Sequence, residues 1–325
     1  MKEFKIAKED AGQTAVKYLG RILKDAPKGL LYKQIRKKNI TLNGKKMEGN
    51  EKLLTGDVIS VYMSEDTIKK FQGETVKDVS EYEEAFKKFG KPHIVYEDDD
   101  VIFLDKPVGM LSQKSENADL SANEWLIGYM LSSNSTDAEK LSKFTPSVCN
   151  RLDRNTGGIL LFGKTLPGTT ALSKALKERN FQKFYKTVVF GQIVKSEFIK
   201  GYISKDENIN KVTVYDKETP GCDYIETGYN PLRFNKERNL TELEVELVTG
   251  KPHQIRAHLA SIKHPIIGDA KYGNVKLNDG IKKEFGLKNQ LLFAYKVVFP
   301  KDFSLENIAG KTFTVDFDNI FDRFF

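Results

Sequence analysis

The chain has 325 residues, 39% of them hydrophobic, and a formal net charge of +7. This length favours two domains with a sizeable core, and no stretch reaches the ~18 consecutive apolar residues that a membrane span needs. The start MKEFKIAKED is charged, and two cysteines and four histidines suit neither a disulfide framework nor a metal centre. We therefore expect a cytoplasmic protein without a metal or a membrane contact.

The first elements belong to a compact unit over residues 13–63. Apolar residues recur at helical spacing in two stretches separated by Pro27, namely Val16, Leu19 and Leu23, then Leu31 and Ile35. The segment ITLNGKKM predicts a strand, a turn at Asn43-Gly44 and a return strand, because both turn residues tolerate positive φ. The segment LLTGDVISVYM predicts another turn and strand.

The positive charge is concentrated in this unit. Residues 1–70 hold 16 Lys and Arg against 9 Asp and Glu, a net of +7 that equals the net charge of the whole chain. Such a local excess indicates a surface for RNA phosphates or, alternatively, only a well-solvated surface. The candidate RNA-binding residues here are Lys33, Arg36, Lys37, Lys38, Lys45 and Lys46.

The order of basic helix, Asn-Gly hairpin and late Gly-Asp resembles the S4 RNA-binding domain over about fifty residues, from YKQIRKKNITLNGKKM to LLTGDVISV. The resemblance implies an S4-like RNA-binding domain over residues 1–64. Residues 65–90 are highly charged with weak periodicity, which predicts a linker with some helix.

Strand patterns dominate from residue 91 onward. Two strands around an acidic turn are predicted in IVYEDDDVIFLDKP. A buried strand is predicted in GGILLFGK, and an amphipathic helix is predicted in TALSKALKERN. Further strands are predicted in KFYKTVVFGQI, KVTVYD, DYIETGYNPLRF, TELEVELVT, LLFAYKVVFP and KTFTVDF. Residues 91–325 therefore form an α+β domain around a large mixed, mostly antiparallel sheet.

The motif NRLDRNTGGILLFGK places Asp153 between Arg151 and Arg154, just before the predicted buried strand. Neighbouring cations favour the ionised form of a carboxyl group. Asp153 is therefore available as a nucleophile or a base. The alternative is an arginine–aspartate turn without chemistry.

A second cluster, TGKPHQIRAHLASIKHPIIGDAKYG, begins a helix near Pro252. Arg256 falls at the edge of its apolar face, where an arginine usually has an acidic partner. Lys251 and His253 lie near the helix N-terminus, where free backbone N–H groups can hold a phosphate. The five-residue spacing of His253 and His258 disfavours a zinc site.

Taken in order, RLDRNTGGILLFGK, FYKTVVFG and this second cluster resemble the large-subunit ribosomal RNA pseudouridine synthases of the RluA, RluC and RluD type. The resemblance implies that Asp153 is the catalytic residue and that Arg151 enters the space left by the displaced uridine. It implies that Tyr185 stacks on the target base and assists at C5, and that Arg256 holds Asp153. The reaction is an isomerisation that requires no cofactor.

The sequence departs from the pattern of this family at Asn150, Gly157, Lys251 and Phe293, which leaves the target uridine open. We predict a monomer that acts on large-subunit ribosomal RNA. Three alternatives remain at this stage: a tRNA pseudouridine synthase on the same scaffold, a non-catalytic ribosome-assembly protein that binds RNA, and a hydrolase that uses the carboxylate.

Overall fold

The computed structural model describes residues 1–72, 77–116, 119–206 and 209–325. Its first part contains a three-stranded antiparallel sheet covered by helices, with one hydrophobic cluster between them. The elements of this part are β1 (Lys2–Lys5), α1 (Ala15–Ile22), α2 (Lys28–Arg36), β2 (Ile40–Leu42), β3 (Val58–Val61) and α3 (Glu65–Gln72). The central strand of this sheet is β3.

The predicted Asn-Gly turn is present, but the predicted return strand is wrong. Asn43 and Gly44 have φ angles of 50° and 72°, yet the returning chain makes only a single bridge, between Leu42 and Lys45. Strand β3 takes the place beside β2, because the side chain of Asn43 accepts a hydrogen bond from the Val58 backbone N–H at 2.8 Å. The chain after Lys45 instead buries Met47 in the hydrophobic cluster of the first part.

Residues 65–90 contain two helices that pack on different clusters. Ile68 and Phe71 of α3 pack with the first part. Helix α4 (Ser80–Phe89) instead packs Tyr82 and Ala85 on the core of the remaining chain. The change from one cluster to the other therefore falls between α3 and α4. Residues 73–76 of the predicted linker lie outside the described residues.

The rest of the described chain is built on an eleven-stranded sheet. Its strands are β4 (Ile94–Glu97), β5 (Val101–Lys106), β6 (Ser147–Val148), β7 (Gly157–Gly163), β8 (Gln182–Phe190), β9 (Glu197–Asp206), β10 (Lys211–Tyr215), β11 (Asp223–Asn235), β12 (Leu240–Leu247), β13 (Leu292–Val298) and β14 (Thr312–Thr314). The order along the sheet is β10-β9-β11-β12-β8-β13-β7-β5-β4, with β14 on β13 and β6 on β7. Within the described residues the β13–β7 pair is parallel and the other pairs are antiparallel, which confirms the predicted α+β class with a large mixed sheet.

Helices cover both faces of this sheet. Alternate residues of β7 point to opposite sides. Leu160 and Phe162 join one cluster with α4 and α5 (Ala122–Ser132), while Ile159 and Leu161 join another with α7 (Leu166–Glu178). The remaining helices are α6 (Ala138–Lys143), α8 (Gln254–Ser261), α9 (Val275–Phe285) and α10 (Asp318–Phe321). No helix in the described ranges is long and apolar enough to span a membrane.

Candidate active site

Asp153 lies in the short loop between β6 and β7, and backbone contacts hold this loop. The hydroxyl of Ser112 donates to the carbonyl of Leu152 at 2.9 Å and accepts from its N–H at 3.0 Å. Leu152 is buried in the core, whereas the side chain of Asp153 keeps 26% of its surface exposed. The loop therefore presents a carboxylate to solvent from a fixed backbone.

The sheet brings Tyr185 beside this loop. Ala294 of β13 is in register with Gly158 of β7 on one side and with Tyr185 of β8 on the other. A side chain on Gly158 would place its Cβ 2.2 Å from the carbonyl oxygen of Ala294, and the φ of Gly158 is 101°. The second glycine of the motif thus permits the close approach of β7 and β13.

Arg256 links Asp153 to a second, fully buried carboxylate. Its Nη1 donates to Oδ2 of Asp153 at 2.8 Å, while Nε and Nη2 donate to the two oxygens of Asp269 at 2.7 and 3.0 Å. Burial opposes the charge of Arg256, but the bonds to Asp269 and Asp153 outweigh it and raise the arginine pKa. Arg256 was expected to have an acidic partner, and it has two, Asp153 and Asp269.

Asp269 is a site residue that the sequence analysis missed. Its side chain has no exposed surface, and it also accepts hydrogen bonds from the backbone N–H groups of Lys271 and Tyr272. Burial would raise the pKa of Asp269, but the hydrogen bonds and charge of Arg256 hold it below its ordinary value. Asp269 lies in the segment GDAKYG, but its distance along the chain from Arg256 does not indicate that the two side chains are in contact.

Tyr185 is buried against the same core as Leu152, with 6% of its surface exposed. Burial raises the pKa of its hydroxyl, and the negative charge of Asp153 raises it further. The phenol is therefore neutral at physiological pH. No hydrogen bond from its hydroxyl to another described residue is present, so the group is free to meet a substrate.

His253 has a different environment from the one predicted. It was expected beside a phosphate at the N-terminus of α8, but only 11% of its side chain is exposed, and its Nε2 lies 4.0 Å from Oδ2 of Asp153. Nδ1 lies 2.8 Å from the hydroxyl of Tyr272, which accepts the backbone N–H of Val212. When Tyr272 donates to Nδ1, the proton of a neutral imidazole is on Nε2 and faces Asp153. Burial lowers the pKa of His253 although Asp153 acts in the opposite direction.

The two arginines that flank Asp153 do not contact it. Arg151 and Arg154 are exposed, and in the described part of the chain neither forms an ion pair with the carboxylate. The flanking arginines, which were expected to act on Asp153, therefore make no direct contact with its carboxylate. The cation in contact is Arg256, 103 positions away.

Lys106 is a second residue that the sequence analysis missed. It is fully buried, and its ammonium donates to the carbonyls of Met110 at 2.7 Å, Pro107 at 3.0 Å and Arg154 at 3.3 Å. Burial lowers its pKa to about 8, against the opposing effect of Asp153. Lys106 thus ties the end of β5 to the loop that carries Asp153.

The other predicted RNA-binding residues lie at two places. Lys251 pairs with Asp223 at 2.7 Å near the start of α8. The six cations of the first part are all exposed, and none pairs with a carboxylate among residues 1–72, 77–116, 119–206 and 209–325. These six are Lys33, Arg36, Lys37, Lys38, Lys45 and Lys46. No cluster of three metal-ligating side chains occurs in these ranges.

Comparison with known proteins defines the class. Residues 100–261 match the family described as RNA pseudouridylate synthase. The ribosomal large subunit pseudouridine synthase C of Rickettsia bellii is 30% identical over 292 residues, which cover 89% of this chain and 92% of that protein. An uncharacterised RNA pseudouridine synthase of Mycoplasma genitalium is 28% identical over 306 residues, or 92% of this chain and 89% of that protein.

The fold agrees with this class. The structure of human RNA pseudouridylate synthase domain containing 4 superimposes with a TM-score of 0.56 at 19% identity, covering 74% of this chain and 93% of that chain. The fold is that of a pseudouridine synthase. The chain belongs to the RNA pseudouridine synthase family, and it is an enzyme that isomerises uridine to pseudouridine in RNA. The hypotheses of a non-catalytic assembly protein and of a hydrolase are therefore wrong.

Proposed function

We propose that this enzyme converts specific uridines of large-subunit (23S) ribosomal RNA into pseudouridine, with Asp153 as the catalytic residue. One observation carries the assignment of Asp153. Its partly exposed carboxylate receives a hydrogen bond at 2.8 Å from Arg256, whose Nε and Nη2 donate to the fully buried Asp269. The carboxylate is thus oriented by a rigid cation and remains open to a substrate.

The reaction exchanges one bond to the sugar for another. The N1–C1′ glycosidic bond breaks, the base rotates, and a C5–C1′ bond forms while the proton at C5 moves to nitrogen. Atoms and electrons balance without a co-reactant. Asp153 can attack the base or C1′, or remove a proton from C2′, and the present geometry is compatible with each route.

The base must first leave its stack, which costs a few kcal/mol. Arg151 is exposed one residue from the buried Leu152, so its side chain is free to enter the space left by the uridine. Tyr185 offers a buried aromatic ring near Asp153 on which the displaced base stacks. The Tyr185 hydroxyl then assists the loss of the proton at C5.

The substrate assignment has two supports. Relatives from Rickettsia bellii and Haemophilus ducreyi are named ribosomal large subunit pseudouridine synthase C, at 30% and 29% identity. The first part of the chain resembles an S4 domain and carries six exposed, unpaired cations that suit RNA phosphates. One chain supplies all these groups, so the enzyme acts as a monomer, in the cytoplasm where ribosomes assemble.

The experiment is chemical mapping of pseudouridines in 23S ribosomal RNA and tRNA from cells with and without this protein. We expect at least one 23S position to lose its modification and to regain it with the wild-type chain. Asp153→Asn should not restore it, because the variant keeps the shape but loses the charge that base or nucleophilic catalysis needs. Its RNA affinity should stay within a few-fold of wild type.

The matched control is Asp216→Asn, which removes the same charge from an exposed carboxylate of the catalytic domain and should restore the modification. A missing pseudouridine in tRNA rather than 23S RNA would favour the tRNA alternative. Restoration by Asp153→Asn would exclude Asp153 as the catalytic residue.

A further inference from the structure

Tyr272 contacts the two basic side chains that lie within 4.0 Å of the Asp153 carboxylate in the described chain. The centre of its ring lies 5.2 Å from the guanidinium carbon of Arg256, which is within the range of a cation–π interaction. Its hydroxyl lies 2.8 Å from Nδ1 of His253, and its backbone N–H donates to Oδ1 of Asp269 at 3.0 Å. Tyr272 is therefore placed to act on Asp153 through these neighbours.

The surroundings of the Tyr272 hydroxyl decide the direction of its hydrogen bonds. The hydroxyl accepts the backbone N–H of Val212 at 2.9 Å, and it has one proton to donate. Among the described residues, Nδ1 of His253 is its remaining partner, so that proton goes to Nδ1. Burial raises the pKa of Tyr272 and lowers the pKa of His253, so the phenol and the imidazole are both neutral. The single proton of the imidazole is therefore on Nε2, on the side of Asp153.

These groups engage one oxygen of the Asp153 carboxylate. Nη1 of Arg256 donates to Oδ2 at 2.8 Å, and Nε2 of His253 lies 4.0 Å from the same oxygen. The second distance is too long for a hydrogen bond, so the Nε2–H dipole attracts Oδ2 through space. Oδ1 accepts no hydrogen bond from another described residue and is not fully buried. The carboxylate is thus held by Oδ2, and Oδ1 is left for a substrate.

We propose that Tyr272 is a positioning residue, which holds Arg256 through its ring and His253 through its hydroxyl so that Oδ1 of Asp153 faces the uridine. This role rests on the proposed catalytic function of Asp153. The ring supports the guanidinium, and the hydroxyl fixes which imidazole nitrogen carries the proton. With the proton on Nδ1 instead, the lone pair of Nε2 would face Oδ2 and repel it. The carboxylate would then turn, and Oδ1 would lose its direction.

The first test compares Tyr272→Phe with wild type on a 23S ribosomal RNA fragment that contains a mapped target uridine. The variant keeps the ring against Arg256 but loses the hydroxyl, so the single-turnover rate at saturating RNA should fall about tenfold, because orientation of a reacting group contributes to the rate. RNA affinity should stay within about twofold, since the loss falls on the transition state. A wild-type rate in folded Tyr272→Phe would overturn the proposal.

The matched control is Tyr224→Phe, which removes a hydroxyl that donates to Glu226 at 2.9 Å. This variant should keep both the rate and the affinity. A loss of rate in Tyr224→Phe equal to that in Tyr272→Phe would show that the effect is not specific to the neighbours of Asp153.

A double-variant cycle measures whether the Tyr272 hydroxyl acts through His253. His253→Asn removes the imidazole at a position with φ 53°, a conformation that asparagine adopts more readily than most residues. If the hydroxyl acts through the imidazole, adding Tyr272→Phe to His253→Asn should slow the reaction by less than about twofold. A further loss of about tenfold would show two independent effects and refute this route.

Nitrogen NMR of isotope-labelled histidine tests the proton position in the wild-type chain. The spectrum of His253→Asn identifies the resonances of His253 by their loss. At neutral pH we expect a protonated Nε2 and an unprotonated Nδ1. A proton on Nδ1 would overturn the proposal even if Tyr272→Phe failed to fold. The proposed function fails separately, through an Asp153→Asn enzyme that still modifies the fragment, whatever the state of His253.

Discussion

At the residue scale, Arg256 serves two carboxylates unequally. Asp269 receives two of its donors and has no exposed surface, whereas Asp153 receives one and is partly open. Asp269 therefore fixes the position of the guanidinium, and the remaining donor, Nη1, orients the carboxylate of Asp153. This arrangement fixes the direction of a carboxylate lone pair without burying the carboxylate.

The variant Arg256→Ala should lose both stability and activity. It leaves Asp269 as an uncompensated buried charge, which costs about 3–5 kcal/mol of unfolding free energy. The double variant Arg256→Ala with Asp269→Asn removes that charge and should regain much of the stability but none of the rate. Denaturant unfolding and single-turnover kinetics on the same samples separate the effects. A double variant with a wild-type rate would show that Arg256 acts only through the fold.

Tyr185 combines a ring and a hydroxyl whose roles can be separated. Tyr185→Ala removes both and should lose RNA affinity and rate together, since stacking of one base is worth about 1–3 kcal/mol. Tyr185→Phe keeps the ring and should bind normally but react more slowly, because the hydroxyl no longer assists at C5. Binding titrations and kcat for both variants provide the measurement. Identical behaviour of the two would refute this division.

At the element scale, α8 links Asp153 to the sheet through several of its side chains. Arg256 reaches Asp153 and Asp269, while Nδ1 of His258 lies 3.0 Å from the hydroxyl of Thr227 on β11. Ile255 and Leu259 pack in the core that contains Tyr185 and Leu152. A shift of this helix would therefore move the guanidinium relative to the loop that carries Asp153.

The burial of His258 predicts a loss of stability in mild acid. Burial lowers its pKa from 6.5 to about 4, so the folded protein holds it neutral while the unfolded chain takes up a proton first. Stability is therefore complete above pH 6.5 and decreases as the pH falls toward 4. Between pH 7 and pH 5 this loss is on the order of 2 kcal/mol.

The measurement is urea denaturation of wild type and His258→Asn at pH 7, 6 and 5. Asparagine keeps a hydrogen-bonding group near Thr227 but does not titrate, so the variant should lose less stability on acidification. The pKa of His253 is also lowered. Because His253 is present in both proteins, its contribution to the pH dependence of stability is the same in each. Parallel pH profiles would contradict the assignment to His258.

At the scale of the whole molecule, charge and chemistry are separated along the chain. The net excess of +7 lies within residues 1–70, whereas the residues around Asp153 belong to the large sheet domain. The first part has its own sheet and its own hydrophobic cluster. We propose that the first part supplies affinity for RNA without regard to sequence and that the remaining chain selects the uridine.

Neutralising the basic surface of the first part should weaken RNA binding but leave the chemistry intact. Four cations at full engagement contribute about 3.6 to the log–log salt slope on duplex RNA, with the B-DNA coefficient as a guide. We expect a slope reduced by up to this amount, a lower rate at limiting RNA and an unchanged rate at saturating RNA. The quadruple variant replaces Lys33, Arg36, Lys37 and Lys45 by Gln.

The control removes the same charge from lysines beyond residue 90 that are exposed and form no ion pair with another described residue. These are Lys195, Lys217, Lys236 and Lys301. The control should keep most of the slope. Equal salt slopes in the two quadruple variants would show that the first part of the chain does not hold the RNA backbone. Loss of the rate at saturating RNA in the variant of Lys33, Arg36, Lys37 and Lys45 would show that the first part helps to build the active site.

Local patterns were sufficient where burial is periodic or continuous. The run at β7 and the helical spacings of α1 and α2 predicted elements that the structure contains. Strand β1 and helix α5 are among the elements that escaped prediction, each for a physical reason. Strand β1 is charged and mostly exposed, and it forms only by pairing with β3, as in the register of Lys2 with Val61. Helix α5 is buried on nearly all sides and therefore shows no amphipathic pattern.

The sequence by itself determined the class of the enzyme and the candidates Asp153, Tyr185 and Arg256, because motif residues and their order are properties of the chain. Only the tertiary structure decided what each of them touches. It placed Arg256 rather than the adjacent arginines against Asp153 and supplied Asp269 behind it. The reason is that ion pairing and desolvation depend on distances through space between residues that may be a hundred positions apart, and no local pattern encodes those distances.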